Sequence, residues 1–238
     1  MKLDLLAIAA HPDDAELGCS GAIIAALAQG KKAGIIDLTR GEMGTRGSVT
    51  TRDQEAAAAA KIMGLSIREN LNFKDIYFSN DPEHQVEVVK MLRKYQPNVV
   101  ITGAIRDRHP DHAKGSALVK QACFMSGLSK LVTDLDGHRQ EPWRPSVVYH
   151  FIQSYYIVPD LVVDISEFWE RKMQTIKAFK SQFFDPGNTE PETYISSPDF
   201  MKMVESRAKE MGHSIGAAYG EGFTVERNIG VKNLLDLI

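Results

Sequence analysis

The sequence predicts an α/β protein, built as a mostly parallel sheet with helices on both faces. The main observation is alternation. Short apolar runs of strand length interchange with longer segments of helical periodicity across the first hundred residues. The second is composition: 238 residues, 43% hydrophobic and 25% charged, which is globular and large enough for a sizeable core.

Residues 3–9 (LDLLAIA) read as a buried strand. A loop containing glycine follows, then a helix near 21–29 stopped by Gly30. Residues 32–38 form a second strand, and a polar, glycine-rich loop runs from Thr39 to Val49. Thr51, with Gln54 three residues on, reads as the N-cap of a helix ending at Gly64. Residues 70–73 are a weak third strand. Asp81-Pro82 opens a helix with Val86, Val89 and Leu92 at helical spacing, which stops before Pro97. Residues 98–102 are a fourth strand, 113–126 a helix, and 147–152 and 161–165 further strands. Ser166 is expected to cap a helix through about 180, and Ser197-Pro198 to open one through about 211. The expected organisation is one domain over 1–238, with residues from about 165 onward as a C-terminal helical appendage.

Several function classes are disfavoured. The net charge is −3, so nothing calls for nucleic acid or an anionic membrane as partner. The longest apolar runs, LLAIAA and AIIAALA, fall far short of the ~20 residues of a membrane span. Asp4 interrupts the N-terminal apolar run, so no signal peptide is expected, and with two distant cysteines, Cys19 and Cys123, a reduced cytoplasmic chain is the simpler reading.

The first informative segment, Ala10-His11-Pro12-Asp13-Asp14-Ala15-Glu16, directly follows the first strand. Ligands of open parallel sheets bind beyond the carboxyl ends of strands. His11 and Asp14 are three apart, so one helical turn brings both to one point, while Asp13 points elsewhere. The second segment, Arg106-Asp107-Arg108-His109-Pro110-Asp111-His112, follows the fourth strand. In the Rossmann-like order 3-2-1-4, strands one and four are neighbours, and the two loops meet.

Two imidazoles and a carboxylate can hold one divalent metal and leave room for water. His11, Asp14 and either His109 or His112 suit that role, and spacing alone leaves the choice open. Asp13 is then the free carboxylate to act as base, the other histidine stabilises an oxyanion or protonates a leaving nitrogen, and Asp111 orients an imidazole. The same trio suits iron(II).

AHPDD followed by Glu16, together with DRHPDH and the late YGEGF at 219–223, resembles the LmbE-like, or PIG-L, family of metal-dependent N-acetylglucosamine deacetylases. The likeness spans about residues 1–225. It departs from the usual family pattern at Ala15, which intervenes before Glu16. The resemblance implies zinc, with iron(II) as the alternative, bound by His11, Asp14 and His112. It further implies Asp13 as general base and His109 as polarising residue or general acid, supported by Asp111. DLTRGEMGTRG, the Arg52 segment, SQF at 181–183 and AYGEGF are similar to the bacillithiol-pathway branch. That implies hydrolysis of the acetamide of N-acetylglucosaminyl malate, a small-molecule substrate, by a homo-oligomer, a hexamer built from trimers. The alternative substrate is another N-acetylglucosamine conjugate, such as a chitin fragment, a mycothiol-type precursor or a bacillithiol conjugate. On the substrate side, Arg52 is the first choice of anion clamp and Arg108 the second, because arginine binds carboxylates through two parallel hydrogen bonds. Glu42 is assigned to sugar hydroxyls and Tyr194 to the sugar pocket. Arg40 and Arg46 read as solvated loop charges.

Overall fold

The computed structural model describes residues 1–237. In chain order the elements are β1 (Leu5–Ala9), α1 (Asp14–Ala28), β2 (Ala33–Thr39), α2 (Val49–Met63), β3 (Ile67–Phe73), α3 (Pro82–Tyr95), β4 (Val99–Thr102) and α4 (Pro110–Met125). They continue as a two-residue hairpin pair β5 (Asp134–Leu135) and β6 (His138–Arg139), then β7 (Val147–Phe151), β8 (Leu161–Asp164), α5 (Trp169–Lys177), α6 (Pro198–His213) and β9 (Gly220–Val225). The main sheet runs β3-β2-β1-β4-β7-β9-β8. Its first five strands are parallel, and β9 runs antiparallel to both neighbours.

β1 shows why this sheet is covered on both sides. Leu6 and Ile8 point into a core with Val88, Leu92, Leu118 and Val119 of α3 and α4. Ala7 and Ala9 point the other way, toward Ile23 of α1, Ala59 of α2 and Phe179 after α5. The period of two divides alternate residues between two layers. Burying Leu6 and Ile8 fully contributes roughly 1.5–3 kcal/mol each. The small Ala7 and Ala9 let α1 lie close. Gly18 closes the same gap, since a Cβ there would sit 2.3 Å from the Phe151 ring.

The helix starts differ from expectation in instructive ways. α1 opens at Asp14, not near residue 21, so the AHPDD segment is itself the strand-to-helix turn. Asp13 is its N-cap residue and has φ 112°, a left-handed conformation unusual for a residue with a Cβ. α2 opens at Val49, capped by Ser48, whose Oγ accepts the Thr51 N–H; an earlier hydroxyl takes the role assigned to Thr51. α4 opens at Pro110, so His109 is its N-cap. Asp81 and Ser197 cap α3 and α6 as expected. The helix expected from Ser166 begins as a 3₁₀ turn and ends at Lys177.

The C-terminal stretch, expected as a helical appendage, supplies a strand to the main sheet. β9 inserts between β7 and β8, and its pattern is masked by the glycines of YGEGF. Those glycines permit close approach. A Cβ on Gly220 would lie 2.8 Å from the Gly212 nitrogen of α6, and one on Gly222 would lie 2.8 Å from the Met211 sulfur. Between them, Glu221 reaches α1, where it accepts the Gly21 and Ala22 N–H groups and pairs with the buried Lys172 of α5. Cys19 and Cys123 are buried free thiols. Among the described residues no helix is long and apolar enough to cross a membrane.

Candidate active site

β1 and β4 are adjacent, so the loops that leave their carboxyl ends converge. A cleft of about 260 Å³ lies there, lined by His11, Asp13, Asp14, His109 and His112 among others. At its floor the Asp14 carboxylate lies between two imidazoles, 3.2 Å from His11 Nδ1 and 3.1 Å from His112 Nε2. Gln153, just past β7, donates its Nε2–H to Asp14 Oδ1, the oxygen that also faces His112, at 2.6 Å.

The far nitrogens of both histidines face carboxylates. His11 Nε2 lies 3.0 Å from Asp75 and 3.5 Å from Asp111. His112 Nδ1 donates to Asp107. Asp75 is held in turn by the Met43 N–H and Asp111 by the Ile76 N–H and Lys114. Asp107 accepts the Tyr155 N–H. Carboxylates at these positions place the protons on His11 Nε2 and His112 Nδ1. Without metal, His11 Nδ1 and His112 Nε2 face the Asp14 carboxylate as donors, and loss of those two protons turns them into lone pairs beside Asp14, the donor set and outer support that a divalent cation requires. The ring nitrogens of His11, His109 and His112 also lie within 4.8 Å of one another, as do those of His11 with the carboxylates of Asp75 and Asp111. A His/Asp cluster capable of coordinating a divalent metal is therefore present.

Electrostatics separates the two adjacent aspartates. Burial pushes Asp13 up to about 7, with Arg52 opposing and Asp14 adding to the rise. Burial also pushes on Asp14, but His112 and His11 overcome it and hold the carboxyl well below its ordinary range. His112 is raised to about 9 because Asp14 and Asp107 outweigh the desolvation that opposes its charge. His11 is raised for the same reason, through Asp14, Asp111 and Asp75 against burial. His109 goes the other way: burial lowers it, and the nearby His11 and His112 lower it further. Its ring stacks on His112 with centroids 5.0 Å apart, and its Nδ1 accepts the Asp111 N–H, which leaves the proton of the neutral ring on Nε2.

Most of the residues expected here are brought together, but some face elsewhere. Asp111 touches His109 only through its backbone, and its carboxylate serves His11. Arg52 is buried and committed within the chain. It donates to the Gly41 and Pro12 carbonyls and to Asp13 at 3.2 Å, so it faces the expected base and not an open anion site. Gly41, at φ 64°, makes room for it, since a Cβ there would overlap the guanidinium. Glu42 is exposed, accepts the Asp75 N–H and does not line the cleft. Arg108 and Tyr194 meet at the mouth, with the guanidinium 4.4 Å above the ring. Glu16 is fully buried against Arg68, which also binds Asp37, and so ties α1 to β2 and β3.

Asp75 and Gln153 lie outside the motifs, and Asp107 and Arg46, though within the quoted stretches, were given no role in the site; of these, Asp75, Asp107 and Gln153 come close to the cluster and Arg46 to the cleft. Three of them share one signal: they lie just past the carboxyl ends of β3, β4 and β7, the edge on which the cleft opens. Arg46 lies in the loop after β2 and is buried, not solvated.

A mostly parallel α/β sheet carrying such a His/Asp cluster at the carboxyl ends of its central strands, with a free carboxylate beside it, is built for metal-dependent chemistry such as hydrolysis. The PIG-L family, described as GlcNAc-PI de-N-acetylase, matches residues 6–123. The conserved protein TT1542 of Thermus thermophilus is 34% identical, with 98% of each chain covered and a TM-score of 0.86. Diacetylchitobiose deacetylase of Thermococcus kodakarensis is 29% identical over 194 residues, covering 75% of this chain and 70% of that protein. The N,N'-diacetylchitobiose deacetylase structure from Pyrococcus horikoshii is 27% identical, covers 93% of this chain and 82% of that one, and has a TM-score of 0.79. The chain belongs to the PIG-L, or LmbE-like, family, and it is a metal-dependent deacetylase.

Proposed function

We propose that the protein hydrolyses the acetamide of a small N-acetylglucosamine conjugate, releasing acetate and the free amino sugar. The observation that carries this reading is the division of labour at the floor of the cleft. Asp14 sits between two imidazoles whose outer nitrogens are held by carboxylates, while Asp13, the preceding residue, pairs with Arg52 and stays outside that cluster. His11, Asp14 and His112 would hold the metal, zinc in the first instance and iron(II) in the second.

A bound divalent cation would polarise the scissile carbonyl and make water nucleophilic near neutral pH. Asp13 would be the residue to take a proton from that water, as a free carboxyl pushed up to about 7 by burial beside the cluster. Arg52 keeps Asp13 aimed at the cleft and offsets part of the burial that raises it. His109 presents Nε2–H, and its hydrogen bond strengthens as the carbonyl oxygen gains charge. Protonated Asp13 then returns its proton to the departing amine.

Two finer substrates fall within this class. The deacetylases of Thermococcus and Pyrococcus support a diacetylchitobiose-like sugar. The TRGEMGTRG loop and the arginines lining the cleft support N-acetylglucosaminyl malate, the substrate of the bacillithiol route. The chain is read as one catalytic domain that acts as a cytoplasmic homo-oligomer. The test is acetate release by metal-loaded protein from diacetylchitobiose, N-acetylglucosaminyl malate and N-acetylglucosamine. Turnover of at least one, lost on Asp13→Asn substitution with metal content intact, is the expected result. No acetate from any of the three refutes the proposal.

A further inference from the structure

The guanidinium groups around the cleft can be accounted for one by one. Arg40 pairs with Asp53 at the surface. Arg52 is committed to Asp13 and two carbonyls. Arg68 is shared between Glu16 and Asp37. Arg108 lies against the Tyr194 ring at the exposed rim. Arg46 differs from all of these. Like Arg52 it lines the cleft, is only 5% exposed and has a buried Nε without a partner, but it lacks the acceptors that hold the terminal nitrogens of Arg52. Among the described residues its guanidinium makes no hydrogen bond or ion pair.

A guanidinium held at the cleft wall with no protein acceptor keeps its donors for whatever enters the cleft. Arg46 is not a loose side chain caught in passing, because its loop is fastened on both sides. Gln182, itself on the cleft wall, donates Nε2–H to the Arg46 carbonyl at 2.8 Å. The next N–H, of Gly47, donates to Glu190 at 3.0 Å. Gly47 has φ 72°, and a Cβ there would come within 2.6 Å of Ser181 Oγ, so only glycine lets the loop lie so close. Ser181 is in turn held by Glu55 of α2 through two 2.7 Å hydrogen bonds. Glu190 accepts the Gly47 N–H, and among the described residues it makes no ion pair with Arg46.

We propose that Arg46 is the specificity-determining residue of the cleft, and that it receives an oxyanion, carboxylate or phosphate, borne by the group attached to the amino sugar. This rests on the deacetylase reading above and names the substrate class within it: conjugates with an anionic aglycone, ahead of neutral oligosaccharides. It also moves the anion-binding role from Arg52, which is spent on the base, to a residue whose donors are free.

The experiment compares kcat/KM for acetate release from three probes: N-acetylglucosaminyl malate, N-acetylglucosamine 1-phosphate and the methyl glycoside of N-acetylglucosamine. Wild-type protein is expected to prefer at least one anionic probe over the methyl glycoside by 10-fold or more, and the better of the two identifies carboxylate or phosphate as the partner. In Arg46→Gln that ratio is expected to fall at least 10-fold, with Arg46→Lys restoring part of it. Arg40→Gln, at a surface pair, should leave the ratio within twofold. A wild-type protein without anionic preference overturns the inference whether or not any variant folds. An Arg46→Gln ratio equal to wild type overturns it as well. Hydrolysis of the methyl glycoside in either case leaves the deacetylase reading standing; acetate from none of the probes overturns this inference, and turnover of diacetylchitobiose then decides whether the deacetylase reading stands without it.

Discussion

Lys172 and Glu221 form a charge pair in the interior, with side chains 2% and 4% exposed and Nζ 2.6 Å from Oε1. At that separation an effective dielectric of ~20 gives an attraction of about 6 kcal/mol. Desolvation of two ions offsets most of this, so the pair as a whole adds little. Removing one partner is different, because the other charge stays buried, and the expected cost is about 3–5 kcal/mol. The local geometry favours the upper half of that range. Lys172 also donates to the Leu17 and Glu16 carbonyls at 2.7 and 3.2 Å, while Glu221 accepts the Gly21 and Ala22 N–H groups at 2.9 and 2.7 Å. The pair is thus a wedge that clamps the middle of α1, whose first residue is Asp14. Glu221→Gln should lower the urea midpoint by an amount equal to about 4 kcal/mol without changing the m-value, and lower Tm by roughly 10 °C. The double variant Lys172→Met/Glu221→Met should recover at least half of the loss, since neither charge is then stranded. The readout is tryptophan fluorescence in urea, with the two single variants and the double variant completing the cycle. A Glu221→Gln cost under about 1 kcal/mol, or a double variant no better than the single ones, would show that the wedge is not what holds α1.

Further outcomes are expected from the site. Metal-free protein should lose stability as pH rises from 6.5 through about 9. His112 is raised in the folded state, so its contribution is complete below 6.5 and is lost as it deprotonates; melting temperature against pH reads this, and metal-loaded protein should lack the loss. Metal uptake at pH 7 should release about two protons, from His11 and His112, measured as the buffer dependence of the calorimetric binding enthalpy; no release would show that these imidazoles are not ligands. Asp107→Asn should weaken metal affinity roughly 10–100-fold in a chelator competition, because His112 loses the carboxylate that orients it. Gly41→Ala should destabilise the protein by more than about 1 kcal/mol and reduce activity. It forces a Cβ into the space of Arg52 at a positive φ, and wild-type stability with wild-type activity would contradict that account.

Much of the site was legible because both of its motifs are contiguous. AHPDD and DRHPDH each follow an apolar run, and the β-α alternation puts those runs side by side. Spacing could not choose between His109 and His112, because both lie within one helical turn of the α4 start. What sets the two rings apart is Asp107 behind His112 and the Asp111 N–H on His109, and neither contact is visible in spacing. Arg52 and Arg46 show the converse. In sequence both are cations near a glycine-rich loop. Their roles separate only through what lies within hydrogen-bonding reach, a pair of carbonyls and Asp13 for one, and no acceptor for the other. β9 escaped notice because its glycines, needed for contact with α6, dilute the alternation that marks a strand.

By itself the sequence determined the α/β class, the parallel strands with both faces buried, and the identity of the His and Asp residues at two strand ends. These follow from local periodicity and from residues adjacent in the chain. Tertiary structure alone decided which carboxylate backs which imidazole, which arginine is spent and which is free, and how the last strand wedges Glu221 into α1. Each of those pairings joins residues from separate elements, and burial sets its energy. Neither composition nor spacing encodes that, because the strength of a charge depends on the water and the partners that folding removes or supplies.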